Sequence, residues 1–161
     1  MSPKPSACLR RRAELDALEL ERFVHPHNPA AVRHGACLTD ALGFTDMGVH
    51  LVRVKPGDFS SEHHFHEEDE EFVYLLAGRG IAFIGNERFD VEAGDFMAFP
   101  KHSAPHHMVN RSESDDLVYL VGGTRAPIDV VNYPRLGRRQ YRLHGKREWV
   151  EERELNRLGW P

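Results

Sequence analysis

Cysteine is scarce in this sequence, two residues among 161. Cys8 and Cys37 share no CxxC spacing, which excludes a disulfide framework and a cysteine-rich zinc cage. At most one bridge could form. Free thiols in a reducing compartment are the expectation, with the cytoplasm as the default location. Long apolar runs are also missing. Nothing approaches the ~20 residues of a membrane span, and the basic start MSPKPSACLRRRAELDAL has no apolar stretch of a secretory signal behind it. Positive charge is not in excess either: 21 Lys and Arg against 25 Asp and Glu give −4. No nucleic-acid or anionic-membrane surface is therefore expected. Residues 1–46 contain no clear pair of amphipathic helices, which counts against a DNA-binding regulator. Repeats and low-complexity tracts are absent.

What the chain has in quantity is histidine. There are 11, and six of them fall in two clusters: His63, His64 and His66, then His102, His106 and His107. The first cluster lies in the stretch Pro56 to Gly78, PGDFSSEHHFHEEDEEFVYLLAG, between a Pro-Gly turn and an apolar run. His64 and His66 are spaced i, i+2, which on a strand puts both imidazoles on one face. With a carboxylate following shortly, they make half of a metal site. The second cluster, about forty residues on, could close it.

The rest of the chain supports a small β domain. Hydrophobic residues are 40% and charged residues 29%, ordinary values for one soluble domain of this length. Ala13 to Phe23 is either loosely helical or an irregular arm. His25 to Pro29, HPHNP, reads as an ordinary loop rather than a second ligand pair. From Met47 short strands follow one another: Met47–Val54, Glu71–Leu76, Ile81–Ile84, Glu87–Val91, Phe96–Phe99, His106–Asn110 and Leu117–Val121. They are punctuated by Pro56-Gly57, Gly78-Arg79-Gly80, Gly85-Asn86 and Gly94-Asp95. Intervals of 8 to 12 residues with such turns indicate a sandwich or barrel. Asp129 to Pro134 reads as extended, the basic run Arg135 to Arg147 as a solvated tail, and Glu148 to Leu158 as a short terminal helix.

Taken together, the spacings form two motifs. The first is Gly57, six residues, His64-x-His66, four residues, Glu71, six residues, Gly78. The second is Gly94, five residues, Pro100, then His106, three residues, Asn110. These resemble the two signature motifs of the cupin superfamily, small jelly-roll barrels with a metal held inside. The resemblance implies His64, His66, Glu71 and His106 as metal ligands, with Glu70 as the alternative carboxylate. It departs from the pattern at two points. The gap from Gly57 to the first histidine is one residue longer than usual, and His102 stands where a glycine is usual, with one residue inserted before His106. The acidic run Glu67 to Glu71, the pair His106-His107 and a tail with Gly123-Thr124-Arg125, Asp129 and Tyr133-Pro134 resemble a group of single-domain bacterial cupins loosely called sugar-phosphate-isomerase-like.

The resulting expectation is an all-β, single-domain cupin jelly-roll β-barrel over residues 47–121, with an N-terminal arm (1–46) and a short C-terminal extension (122–161). One divalent transition metal ion per chain, Zn, Fe, Mn or Ni, is expected at the three histidines and the glutamate. Open positions on such an ion suit chemistry on a small oxygen-bearing organic molecule, of the isomerase or dioxygenase type. The competing reading is a non-catalytic small-molecule-binding or sensor cupin. A homodimer is expected from the resemblance. Strand alternation points His63 and His107 toward the surface, Glu67, Glu68, Asp69 and Glu70 read as a solvated loop, and Phe65, Phe83, Phe96 and Phe99 as core.

Overall fold

A computed structural model describes residues 8–156. One short helix, α1 (Arg12–Asp16), precedes thirteen strands. They are β1 (Glu21–His25), β2 (Asn28–Cys37), β3 (Met47–Val54), β4 (Phe65–His66), β5 (Glu71–Ala77), β6 (Arg79–Ile84), β7 (Glu87–Glu92), β8 (Phe96–Phe99), β9 (His106–Val109), β10 (Leu117–Thr124), β11 (Ile128–Tyr133), β12 (Arg138–Leu143) and β13 (Lys146–Glu151). Three antiparallel sheets result, with strand orders β1-β2-β3-β10-β5-β8, β13-β12-β11-β4 and β7-β6-β9. The architecture is the all-β jelly roll expected from the strand pattern.

Alternation along β3, β5 and β10 fills the interior. Val52, Val54, Val73, Leu75, Leu117 and Tyr119 form the core with Ala82, Val91, Phe99 and Met108 from the three-stranded sheet and β8. At roughly 25 cal/mol per Å² of apolar surface, such burial is the main force holding the layers together. The chain folds back sharply where strands must pass close. Gly78 adopts φ +79, and a Cβ there would sit 2.3 Å from the Asp116 carbonyl oxygen. No other residue type fits that corner. Gly123 lets β10 approach the segment before β5, since its Cβ would lie 2.6 Å from the Glu70 carbonyl.

Both flanking segments are built into sheets. Residues 21–37 supply β1 and β2, and β2 pairs with β3. After β10, β11 pairs on one side with β4, the strand carrying His66, and on the other with β12. The helix expected over 148–158 is not formed in its described part: β13 runs to Glu151, and a single 3-10 turn follows at Glu152–Glu154. Residues 157 and 158 lie outside the described residues. The cause is a two-residue hairpin, His144-Gly145, both at positive φ (46° and 82°), which returns the chain antiparallel onto β12. Positive φ at both central positions is the turn that matches strand twist. Of the four phenylalanines expected in the core, Phe99 is buried, while Phe96 is 62% exposed at the edge strand β8.

Candidate metal centre and its cavity

His64, His66, Glu71 and His106 converge from three sheets. Main-chain pairing sets their spacing: His64 and His106 form an antiparallel bridge, with N···O distances of 3.2 and 2.8 Å. Their ring centroids are 4.8 Å apart, and His64 and His66 are 5.3 Å apart. Glu71 Oε1 is 3.3 Å from His106 Nε2, and Oε2 is 3.7 Å from His66 Nε2. Glu70, one residue earlier, is exposed. Alternation into β5 therefore turns Glu71 inward and Glu70 outward.

Each of the three imidazoles has its Nδ1 tied away from the centre. His64 Nδ1 lies 2.8 Å from the Glu62 carbonyl oxygen, His106 Nδ1 3.4 Å from that of Ala104, and His66 Nδ1 2.7 Å from Asp129 Oδ2. Those oxygens accept only, so Nδ1 carries the proton and donates it. The Nε2 lone pairs are left facing Glu71, and this is how histidine ligands are oriented by their outer partners. Phe99 stacks on the His106 ring at 3.5 Å and 4°. Three neutral Nε2 atoms and one carboxylate are a donor set that fits a divalent transition ion.

The electrostatics favour a cation here. Burial raises the cost of a Glu71 carboxylate, yet the His106 and His66 rings that face it hold its pKa well below the usual value. Burial likewise opposes charge on His66, but hydrogen bonds to Asp129 and Glu71 outweigh it and raise its pKa to about 9. His64, fully enclosed and beside His106, drops to about 3. Without an ion, His66 supplies the positive charge that Glu71 and Asp129 demand; a bound cation would replace that proton.

Asp129 is the part of this site that spacing did not single out as such. It is 0% exposed and accepts the backbone N–H groups of Glu68 (3.0 Å) and Asp69 (3.3 Å) as well as His66. Asp69, Asp129 and His66 also lie close enough to form a second cation cluster. Its charge is already met, because Arg142 ion-pairs with Asp69, which further accepts from the Ala126 amide at 2.8 Å. Glu68 and Glu70 are exposed, as a solvated loop implies, but the reading is corrected at Asp69 and Glu67. Asp69 is buried, and Glu67 bonds both His102 (2.7 Å) and Asn132 (2.8 Å). Arg142, in the basic run, is part of this network rather than a free tail, and Arg138 and Arg139 pair with Glu151 and Glu152.

His63 and His107 are likewise not at the surface. Both are 5% exposed, and their Nδ1 atoms share one hydrogen bond at 3.0 Å. All four residues of β9 are buried, because β6 covers one edge and the 59–64 segment lies across the other side. Alternation implies exposure only where one face meets water. Burial lowers His107 to about 3 and His63 to about 4. His102 is exposed in the loop, at φ 58.

The centre opens into a cavity of about 780 Å³ between the six-stranded and four-stranded sheets, a size suited to a small organic ligand. Pro26-His27 forms the turn between β1 and β2, as a loop reading expects, but His25 itself belongs to the strand. His25 closes β1, is 5% exposed and lines the cavity beside Tyr133 and Trp149.

The cupin domain family matches residues 50–122. Over the whole fold, the chain superposes on a candidate sugar phosphate isomerase from Acidithiobacillus ferrooxidans at TM-score 0.92. The two share 37% identity over 98% of this chain and 100% of that one. A cupin-superfamily sugar phosphate isomerase from Silicibacter pomeroyi gives TM-score 0.78 and 29% identity, over 87% of this chain and 92% of that one. A 75-residue stretch is 43% identical to an oxalate decarboxylase of Arthroderma benhamiae, covering 44% of this chain and 17% of that far longer protein. Among the described residues no helix is long and apolar enough to cross a membrane. With the jelly roll, the matched domain and full-length relatives in agreement, the chain belongs to the cupin superfamily.

Proposed function

We propose that the protein holds one divalent transition metal ion (Zn, Fe, Mn or Ni) at His64, His66, Glu71 and His106, and acts on a small oxygen-bearing molecule in the adjoining cavity. The observation that carries this reading is the outward anchoring of all three Nδ1 atoms, which leaves three Nε2 lone pairs and a buried carboxylate facing one another. Four protein donors leave positions open on a six-coordinate ion, and there the metal would supply Lewis acidity to a chelated oxygen. The protein's own groups bind, orient and exclude water around that point. The names of the relatives, sugar phosphate isomerase and oxalate decarboxylase, support oxygen-rich substrates and favour isomerase-type or carbon–carbon-cleaving chemistry over a non-catalytic binding or sensor role. A cytoplasmic setting follows from the cysteine usage. Pairing of two copies is expected on the sheet face where Phe96 of the edge strand β8 and Tyr74 and Leu76 of its neighbour β5 are exposed.

Elemental analysis of protein purified without added metal tests the assignment. About one equivalent of a transition metal is expected in the wild type and almost none in His64→Ala combined with His106→Ala, both keeping the β-rich circular dichroism spectrum. A full equivalent retained by the double variant would overturn the ligand set.

A further inference from the structure

Four arginines line the cavity, and two of them are neutralised. Arg125 pairs with Asp40 at 2.6 Å and Arg142 with Asp69. Arg33, on β2, is different. Its guanidinium donates to the Ser60 carbonyl at 3.1 Å and lies 4.5 Å over the Phe23 ring. Among the described residues no carboxylate lies within ion-pairing distance of it. A half-buried cation without an anion is costly unless something else supplies the charge.

His25 is its neighbour on β1. His25 Nδ1 accepts the His27 amide at 3.2 Å, so the neutral ring carries its proton on Nε2. That Nε2–H is buried and has no partner among the described residues, although buried donors are nearly always satisfied. Tyr133 stands between it and the metal centre: its ring is 5.2 Å from His25 and stacks on His64 at 5.8 Å. An unpaired cation and an unpaired donor thus face one cavity, one aromatic ring away from the proposed ligands.

We propose that Arg33 and His25 form an oxyanion subsite, so that the substrate carries a carboxylate or phosphate in addition to the oxygens that meet the metal. The proposal rests on the cavity being the metal-centred substrate site. Charge supports it. Among the described residues Arg33 and the exposed Arg147 on β13 are cavity-lining cations without ion pairs, against Glu21, and a guanidinium fork matches two oxygens of either anion. Carboxylate and phosphate share this chemistry, and the test separates them.

Calorimetric titration would use fructose 6-phosphate, gluconate and uncharged fructose as probes, on the manganese-loaded protein and on the same protein stripped with EDTA. The wild type is expected to bind at least one charged probe tenfold or more tightly than fructose in both states. Arg33→Gln should abolish that preference and leave fructose unchanged, while Arg33→Lys keeps most of it. The probe losing more identifies the anion. His25→Asn retains an acceptor near Nδ1 but nothing at Nε2, and should weaken the charged probe several-fold; His25→Gln, which reaches the Nε2 position, should recover it. Equal binding of the charged probe by Arg33→Gln and the wild type overturns the subsite, as does a wild type that binds no charged probe. Arg33-dependent binding in protein that never retains metal would uphold the subsite while removing the metal reading.

Discussion

His25 stays neutral in the folded chain because burial strips water from its ring, and that effect exceeds the opposing pull of Glu62. His27 and Arg33 push in the same direction as burial, and the pKa falls from 6.5 to about 4. The sign of the consequence follows from linkage. The unfolded chain takes up the proton at 6.5 and the folded one only near 4, so this contribution to stability is present above pH 6.5 and is lost as pH falls through that window. Over the whole window a single such group is worth at most about 3 kcal/mol. Urea unfolding of metal-stripped wild type and His25→Asn at pH 7, 6, 5 and 4 checks it. The wild type should lose stability more steeply on acidification, by up to roughly 1.4 kcal/mol per pH unit; parallel curves would show that His25 is not buried neutral. Of the four proposed ligands, the pair His64 and His66 was readable from residue type and spacing, while Glu71 and His106 were singled out by the resemblance to the cupin motifs. His25, His63, His107 and Asp69 were not readable, because burial by segments distant in sequence reversed the exposure that local alternation suggests.

Strand β13 shows the same limit one level up. The sequence 148–158 carries apolar residues at helical spacing, and local pattern favours a helix. What decides the matter is the turn before it: His144-Gly145 at positive φ commits the chain to a hairpin, and Arg138↔Glu151 and Arg139↔Val150 follow in register. Gly145 was visible in the sequence, but a histidine at the first turn position is a weaker sign than asparagine or aspartate. By contrast the strands from Met47 to Val121 were legible apart from the two-residue β4, since Pro and Gly mark nearly every boundary. β13 presents Trp149 to Tyr133, His25 and His27 at 4.9, 5.7 and 4.5 Å, joining the four-stranded sheet to β1. Truncating this half-buried ring to Ala should cost roughly 2–3 kcal/mol, below the range for a fully buried tryptophan. The midpoint of urea unfolding reads it; a change within about 0.5 kcal/mol, the usual surface value, would mean that the wall closes the cavity without β13.

At the scale of the molecule, the proposed metal centre lies where the three sheets meet. His66 belongs to β4 of the four-stranded sheet, Glu71 to β5 of the six-stranded sheet and His106 to β9 of the three-stranded sheet. The apolar core packs the layers together elsewhere, but where these three sheets converge the facing side chains are polar. An ion at the proposed ligands would cross-link all three layers, and unfolding would have to release it. Binding to the folded chain alone stabilises by about 4 kcal/mol when free metal stands at a thousand times its dissociation constant. For a chain of this length that corresponds to a melting temperature roughly 8–16 °C higher. Differential scanning calorimetry before and after EDTA treatment should show that drop, reversed by re-addition of manganese or zinc. The same treatment should leave His64→Ala combined with His106→Ala unmoved. A stripped wild type melting within about 2 °C of the loaded one would mean that the sheets are locked without the ion, and that the cluster is a polar core rather than a metal centre.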